Sequence, residues 1–177
     1  MTPSPLVGIL MGSDSDFDVM GESARILTEF SVPFEMLVTS AHRTPERTHR
    51  YATAALDRGI RTLIVGAGAA AHLAGVVAAI TPLPVIGVPL SATALQGMDA
   101  LLATVQMPAG IPVATMAIGK AGAVNAALMA VRILALTRPD LADRLRAYHL
   151  EMAQGVEKKD QALRERLADH IGKWISH

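Results

Sequence analysis

Short apolar runs alternate with segments of helical period through most of this chain. Residues 6–11 (Leu-Val-Gly-Ile-Leu-Met) form an unbroken apolar run, the pattern of a strand covered on both faces. The run stops at Gly12-Ser13-Asp14-Ser15-Asp16. Apolar residues then recur at Phe17, Met20, Ala24, Ile26, Leu27 and Phe30, which predicts a helix over 17–30. Val32-Pro33 marks a turn, and residues 34–39 read as a second strand. Thr44 is a candidate N-cap, and Pro45 suits a first helical position because its fixed φ fits and its missing N–H costs nothing there. That helix closes near Gly59, a candidate C′ glycine.

Residues 62–65 predict a third strand, followed by a small-residue stretch from Gly66 to Gly75 and a short helix to Ile80. Residues 85–88 predict a fourth strand, 92–105 a helix, 107–112 a proline-bearing loop, 113–118 a fifth strand and 119–136 an Ala-rich helix. Beyond Pro139, Leu141, Leu145, Tyr148 and Met152 fall at helical spacing, and Leu163, Leu167, Ile171 and Trp174 repeat the pattern. Alternating strands and helices imply a parallel sheet with right-handed crossovers. The expected fold is therefore α/β: a flavodoxin-like three-layer sandwich with a central five-stranded parallel sheet and a C-terminal helical extension. Residues 1–137 form the expected catalytic domain and 138–177 the extension. The apolar stripe of that tail must cover something, either a neighbouring subunit or the chain's own domain.

Composition narrows the chemistry. The chain has 177 residues, enough for one domain with a real core. Hydrophobic residues make up 51% and aromatics 3%, so the core is aliphatic. Formal net charge is zero, which gives no electrostatic footprint for nucleic acid or an anionic membrane surface. Charge is sparse up to Thr137 and dense beyond it. The absence of cysteine excludes disulfides, thiolate catalysis and Cys-ligated metals. Residues 1–5 lack the regions of a signal peptide, and no apolar stretch reaches membrane-spanning length, so a soluble, cytoplasmic protein is expected.

Ser40-Ala41-His42-Arg43-Thr44-Pro45 places an imidazole and a guanidinium at a strand's carboxyl end, where open α/β sheets bind ligands. A histidine there exchanges protons near neutral pH. The adjacent arginine offers a bidentate donor for phosphate or carboxylate. The bland alternative is a solvated loop pair. Gly12–Asp16 offers hydroxyls and free N–H groups at a helix start, suited to an anion, with a carboxylate able to accept from sugar hydroxyls. Simple helix capping is the other role open to it. It is neither a Walker A loop nor Gly-x-Gly-x-x-Gly. The small residues around Gly66-Ala67-Gly68 let backbone and ligand come close. His72 follows them, as a satisfied structural histidine or as a group orienting a substrate carboxylate. The loop at 107–112 is a candidate wall for the site, and Lys120 a candidate phosphate contact or a solvated helix-start lysine. His49, His149, His170 and His177 receive no role. No His/Asp/Glu cluster has metal-ligand spacing.

Taken in order, Met11-Gly-Ser-x-Ser-Asp16, Ser40-Ala-His-Arg-Thr-Pro45, Gly66-Ala-Gly-x-Ala-Ala-His-Leu-x-Gly75, Gln96-Gly-x-Asp99, Val105-Gln-Met-Pro108 and Ala117-Ile-Gly119 resemble the PurE family over about residues 6–137. The resemblance implies N5-carboxyaminoimidazole ribonucleotide mutase activity in de novo purine (IMP) biosynthesis: an isomerase moving a carboxyl group from the exocyclic amine to the ring carbon. It implies a homo-octamer and no cofactor: no metal, ATP or biotin. It also implies His42 as general acid/base, with Ser13 and Arg43 near phosphate, Asp16 on the ribose, and Ser40, Gly68 and His72 in the substrate site, His72 near the carboxylate. Three positions depart from the family pattern: Ala69 for Gly, Ala74 for Pro and Ala100 for Ser. The first two would reshape the loop around the carboxylate. The competing functions are an aminoimidazole ribonucleotide carboxylase using free carbon dioxide, a flavin- or nucleotide-binding module, and an assembly protein built through its tail. The scarcity of aromatics counts against a flavin module.

Overall fold

A computed structural model describes residues 4–175 of the chain. His177, the first three residues of the N-terminal segment and the side chain of Trp174 lie outside the described set. Five strands form one parallel sheet: β1 Val7–Met11, β2 Phe34–Val38, β3 Thr62–Gly68, β4 Val85–Leu90 and β5 Ala114–Thr115. Their order is β2-β1-β3-β4-β5, the flavodoxin-like order. Six helices follow in turn: α1 Phe17–Glu29, α2 Pro45–Ala54, α3 Leu73–Ile80, α4 Met98–Val105, α5 Lys120–Ala135 and α6 Pro139–Ile175.

The unbroken apolar runs arise because every central strand is buried on both faces. Val7, Ile9 and Met11 of β1, Ile64 of β3, and Ile86, Val88 and Leu90 of β4 face one side, where α1, α5 and the start of α6 pack. Leu10, Leu63, Val65, Ala67 and Val85 face the other, under α2, α3 and the buried Ala100 of α4. A period of two along each strand thus divides one apolar run between two cores. Gly66 leaves room where Met20 of α1 presses on the sheet, so α1 lies close over β3.

Several boundaries differ from the sequence expectation. β5 has two residues, not the six from 113 to 118, because it pairs only with β4, at Ala114 and Thr115. α4 starts at Met98, six residues later than expected. Gln96 and Gly97 have φ of 51° and 88°, left-handed values that a right-handed helix cannot pass through. α2 ends at Ala54, but the turns that continue from it close at Gly59 as expected: its φ is 92°, and Ile60 N–H bonds the Ala55 carbonyl at 3.1 Å.

The tail is one helix of 37 residues rather than two segments, about 55 Å long at 1.5 Å per residue. Its first turns pack on the chain's own core, where Leu141 and Leu145 are buried and Tyr148 meets Phe30 with ring centroids 5.6 Å apart. Past that point Met152, Val156, Leu163, Leu167 and Ile171 are exposed. Among the described residues no helix is long and apolar enough to cross a membrane.

Candidate active site

The strand order reverses around β1 and β3: the chain leaves β1 for β2 on one side, then returns to β3 on the other. Open α/β sheets leave a crevice at the carboxyl ends of such strands. Here a cleft of about 240 Å³ opens there. Gly12, Ser13, Ser15 and Asp16 after β1 form one wall. Ser40, Ala41, His42 and Arg43 after β2 form another, and Ala67 to Ala70, Leu73 and Ala92 complete it. Of the residues singled out in the sequence, Ser13, Asp16, Ser40, His42, Arg43 and Gly68 all line this one space.

The Gly12–Asp16 turn is capped, as one of its two sequence readings expects, and it also lines the cleft. Ser13 Oγ accepts from Ser15 N–H at 3.3 Å, and Asp16 Oδ2 accepts from Ser13 N–H at 3.0 Å. This reciprocal capping box fixes the turn ahead of α1. It also occupies one oxygen of the carboxylate expected on the ribose. Burial raises the Asp16 pKa above the ordinary carboxylate value; the Ser13 and Gly12 N–H groups pull it back, and the Asp14 charge adds to the rise.

The loop after β2 is tied to its own helix. Arg43 N–H donates to Ser40 Oγ at 3.1 Å, and Ser40 N–H donates to Thr44 Oγ1 at 2.9 Å. Thr44 occupies the N-cap position of α2, yet its hydroxyl turns back to Ser40 instead of capping the helix. Pro45 supplies the helical start, as its sequence position predicts. Arg43 Nη2 donates to the Gly12 carbonyl at 3.2 Å, which holds the guanidinium over the β1 turn.

His72 is absent from the cleft wall, but its Nδ1 lies 3.0 Å from His42 Nε2. Sequence spacing could not signal this pairing, because the two rings meet only through the sheet. Gly68 cannot grow: a Cβ there would fall 2.6 Å from the Ala92 methyl, so the β3 and β4 ends close on one another. Ala69, set where the family pattern has Gly, lines the cleft in a left-handed conformation at φ 53°. Ala74 and Ala100 lie in the buried core away from the cleft, so their departures concern packing. The loop at 107–112 contributes nothing to the cleft wall, and neither does Lys120. Met107 is spent against α3, where its sulfur approaches Gly75. Arg47, in the first turn of α2 and passed over in the sequence, joins Arg43, Ser13 and Ser40 along an adjoining groove. Among the described residues no group of three His, Asp or Glu is placed to hold a metal ion.

Such a cleft can hold an anion against Arg43 and the Gly12–Asp16 turn, and can move a proton at His42. Comparison with known proteins agrees with the fold and extends it. A structure titled as that of Treponema denticola PurE superposes with a TM-score of 0.80 at 32% identity, covering 90% of this chain and 98% of that one. A Pyrococcus horikoshii protein named N5-carboxyaminoimidazole ribonucleotide mutase is 57% identical over 161 residues, 91% of this chain and 90% of its own. A Mycobacterium tuberculosis protein of the same name is 54% identical over 174 residues, 97% of this chain and 98% of its own. The family model described as AIR carboxylase matches residues 6–155, and with these relatives it shows that the chain belongs to the AIR carboxylase (PurE) family.

Proposed function

We propose that this protein is an N5-carboxyaminoimidazole ribonucleotide mutase. The observation that carries the reading is the meeting of His42 and Arg43 with the Gly12–Asp16 turn in one cleft, on a chain whose named relatives are mutases over nearly their full length. Arg43 and Ser13 take the ribotide phosphate, and Asp16, through the oxygen its cap leaves free, accepts from a ribose hydroxyl. Ser40 and Gly68 shape the wall.

His42 begins as an imidazolium and protonates the exocyclic nitrogen. The nitrogen–carboxyl bond breaks, leaving carbon dioxide and the neutral aminoimidazole ribotide. The electron-rich ring carbon attacks the carbon dioxide and becomes tetrahedral. Neutral His42 then takes the hydrogen from that carbon, which restores aromaticity and returns the imidazolium. One group serves both transfers, so no outside base, metal or nucleotide enters the balance. The small residues around Gly68 hold the fragments close, which favours recapture over escape.

The same reading carries a cytoplasmic homo-octamer. Exposed Leu95, Met98, Leu102 and Val105 on and before α4, and the exposed stripe of α6, support association between copies, with the far half of α6 on a neighbour. Light scattering of the purified protein measures the assembly.

The test of function is direct. Purified protein given the carboxyamino ribotide without ATP yields the carbon-carboxylated isomer, at a rate indifferent to added bicarbonate. Turnover only of the unrearranged aminoimidazole ribotide, in proportion to bicarbonate, identifies a carboxylase instead.

A further inference from the structure

His42 and His72 belong to different strand-end loops, and their rings meet edge to face with centroids 5.1 Å apart and planes at 80°. The separation of His42 Nε2 from His72 Nδ1, 3.0 Å, is that of a hydrogen bond. It is the hydrogen bond the His42 ring makes among the described residues. His72 is the firmer of the two. It stands at the N-cap of α3, its N–H bonds the Ala70 carbonyl at 2.8 Å, and its carbonyl accepts from Val76 N–H at 3.0 Å. The next two residues, Leu73 and Ala74, are buried.

Two facing ring nitrogens can share only one hydrogen; two would point N–H at N–H. The mutase cycle requires His42 to start as an imidazolium, with hydrogen on both nitrogens. Its Nε2–H then has an acceptor only if His72 is neutral, with Nδ1 bare and its own hydrogen on Nε2. Which nitrogen of a working imidazole carries its hydrogen, and how the ring is oriented, is set by the hydrogen bond the other nitrogen makes.

We propose that His72 is a positioning residue for His42: its bare Nδ1 accepts from His42 Nε2–H, holds the ring at the cleft wall, and keeps the charge of the pair on His42. This inference rests on the mutase reading for the task of His42. It assigns His72 a part in setting the proton donor, in addition to any contact with substrate. The remaining hydrogen, on His72 Nε2, is then a donor for an anionic group.

The experiment combines a spectrum and two variants. Histidine-labelled ¹⁵N spectra of the ligand-free full chain are expected to show coupling between His42 Nε2 and His72 Nδ1 across the bond, with His72 in its Nε2–H form. His72→Leu removes the acceptor, whereas His72→Asn sets an amide oxygen near the Nδ1 position. His72→Leu is expected to lower kcat about 10–100-fold, the effect of one charge-assisted hydrogen bond, with KM changed much less. His72→Asn is expected to recover most of that loss. A rise in KM alone, an Asn variant no better than Leu, or a His72 with hydrogen on Nδ1 overturns the proposal. If His72→Leu does not fold, the wild-type spectrum decides. A wild type inactive on the carboxyamino ribotide overturns the mutase reading and the task given to His72 with it. An active wild type with an uncoupled pair overturns this inference alone.

Discussion

Arg43 reaches back from the loop after β2 to donate to the carbonyl of Gly12 after β1, at 3.2 Å. The bond uses one of five guanidinium N–H groups, so the others remain as a fork for an anion. It also sets the spacing between the two loops at this end of the cleft, where the proposed mutase site takes the phosphate. A lysine keeps the charge but cannot bond Gly12 and grip an anion bidentately together. Arg43→Lys is expected to raise KM for the ribotide by about 10-fold or more, with a smaller fall in kcat. Steady-state kinetics on the two proteins checks this, and an unchanged KM contradicts it.

Asp16 carries a pH signature. Burial lifts its carboxyl above the ordinary value, so the native state binds that proton more tightly than the unfolded chain. Its contribution to stability is complete below the ordinary carboxylate range and declines as pH rises through the raised value. Asp16→Asn has no charge to desolvate, yet its amide oxygen still accepts from the Ser13 N–H. Relative to wild type, Asp16→Asn is therefore expected to gain stability between about pH 3 and pH 6. Urea unfolding of both proteins at those two values measures the change; a relative loss contradicts it.

Ala69 holds a conformation that suits glycine. A left-handed alanine costs about 1–2 kcal/mol, and glycine gives back roughly 0.5–1 kcal/mol through its freer unfolded chain. Ala69→Gly is thus expected to leave stability unchanged or to raise it by up to about 1.5 kcal/mol, a Tm gain of a few degrees at this size. An ordinary Ala→Gly change in a helix would lower it. A clear drop in Tm would mean that the Ala69 φ of 53° is not the conformation the protein keeps.

The long C-terminal helix divides energetically at Tyr148. Leu141 is 1% exposed in the core, while Leu163 is 60% exposed. Leu141→Ala is expected to cost about 2–5 kcal/mol, the loss of a buried leucine together with its cavity. Leu163→Ala is expected to stay within about 0.5 kcal/mol when the isolated protomer is compared. Denaturant unfolding at low protein concentration separates the two. Equal losses would mean that the far half of α6 packs on its own chain.

The strands were legible because burial on both faces leaves an apolar run that no surface helix copies, as at Leu6 to Met11 and Thr62 to Val65. The cleft was legible because its lining residues sit where those runs end: Gly12–Asp16, Ser40–Arg43 and Gly68 all fall at strand termini and converge. What escaped sequence reading was set by contacts between distant segments. The length of β5 depends on how far β4 pairs with it, the start of α4 on left-handed turns at Gln96 and Gly97, and the course of Met107 on α3. The His42–His72 bond joins residues whose loops lead into α2 and α3, which pack against each other on one face of the sheet. The tail's repeated stripe fitted either two helices or one: Gly155 falls between its halves as a possible break, yet the helix runs through it from Pro139 to Ile175.

The central claim is that one imidazole carries the proton that releases and then readmits the carboxyl group. His42→Asn removes that proton while keeping a polar side chain of modest size at an exposed loop position. Its unfolding curve should match wild type. Given the carboxyamino ribotide without ATP, the wild type should form the carbon-carboxylated isomer, and the variant should do so at least about 100-fold more slowly. A folded His42→Asn protein that isomerises at the wild-type rate would contradict the account.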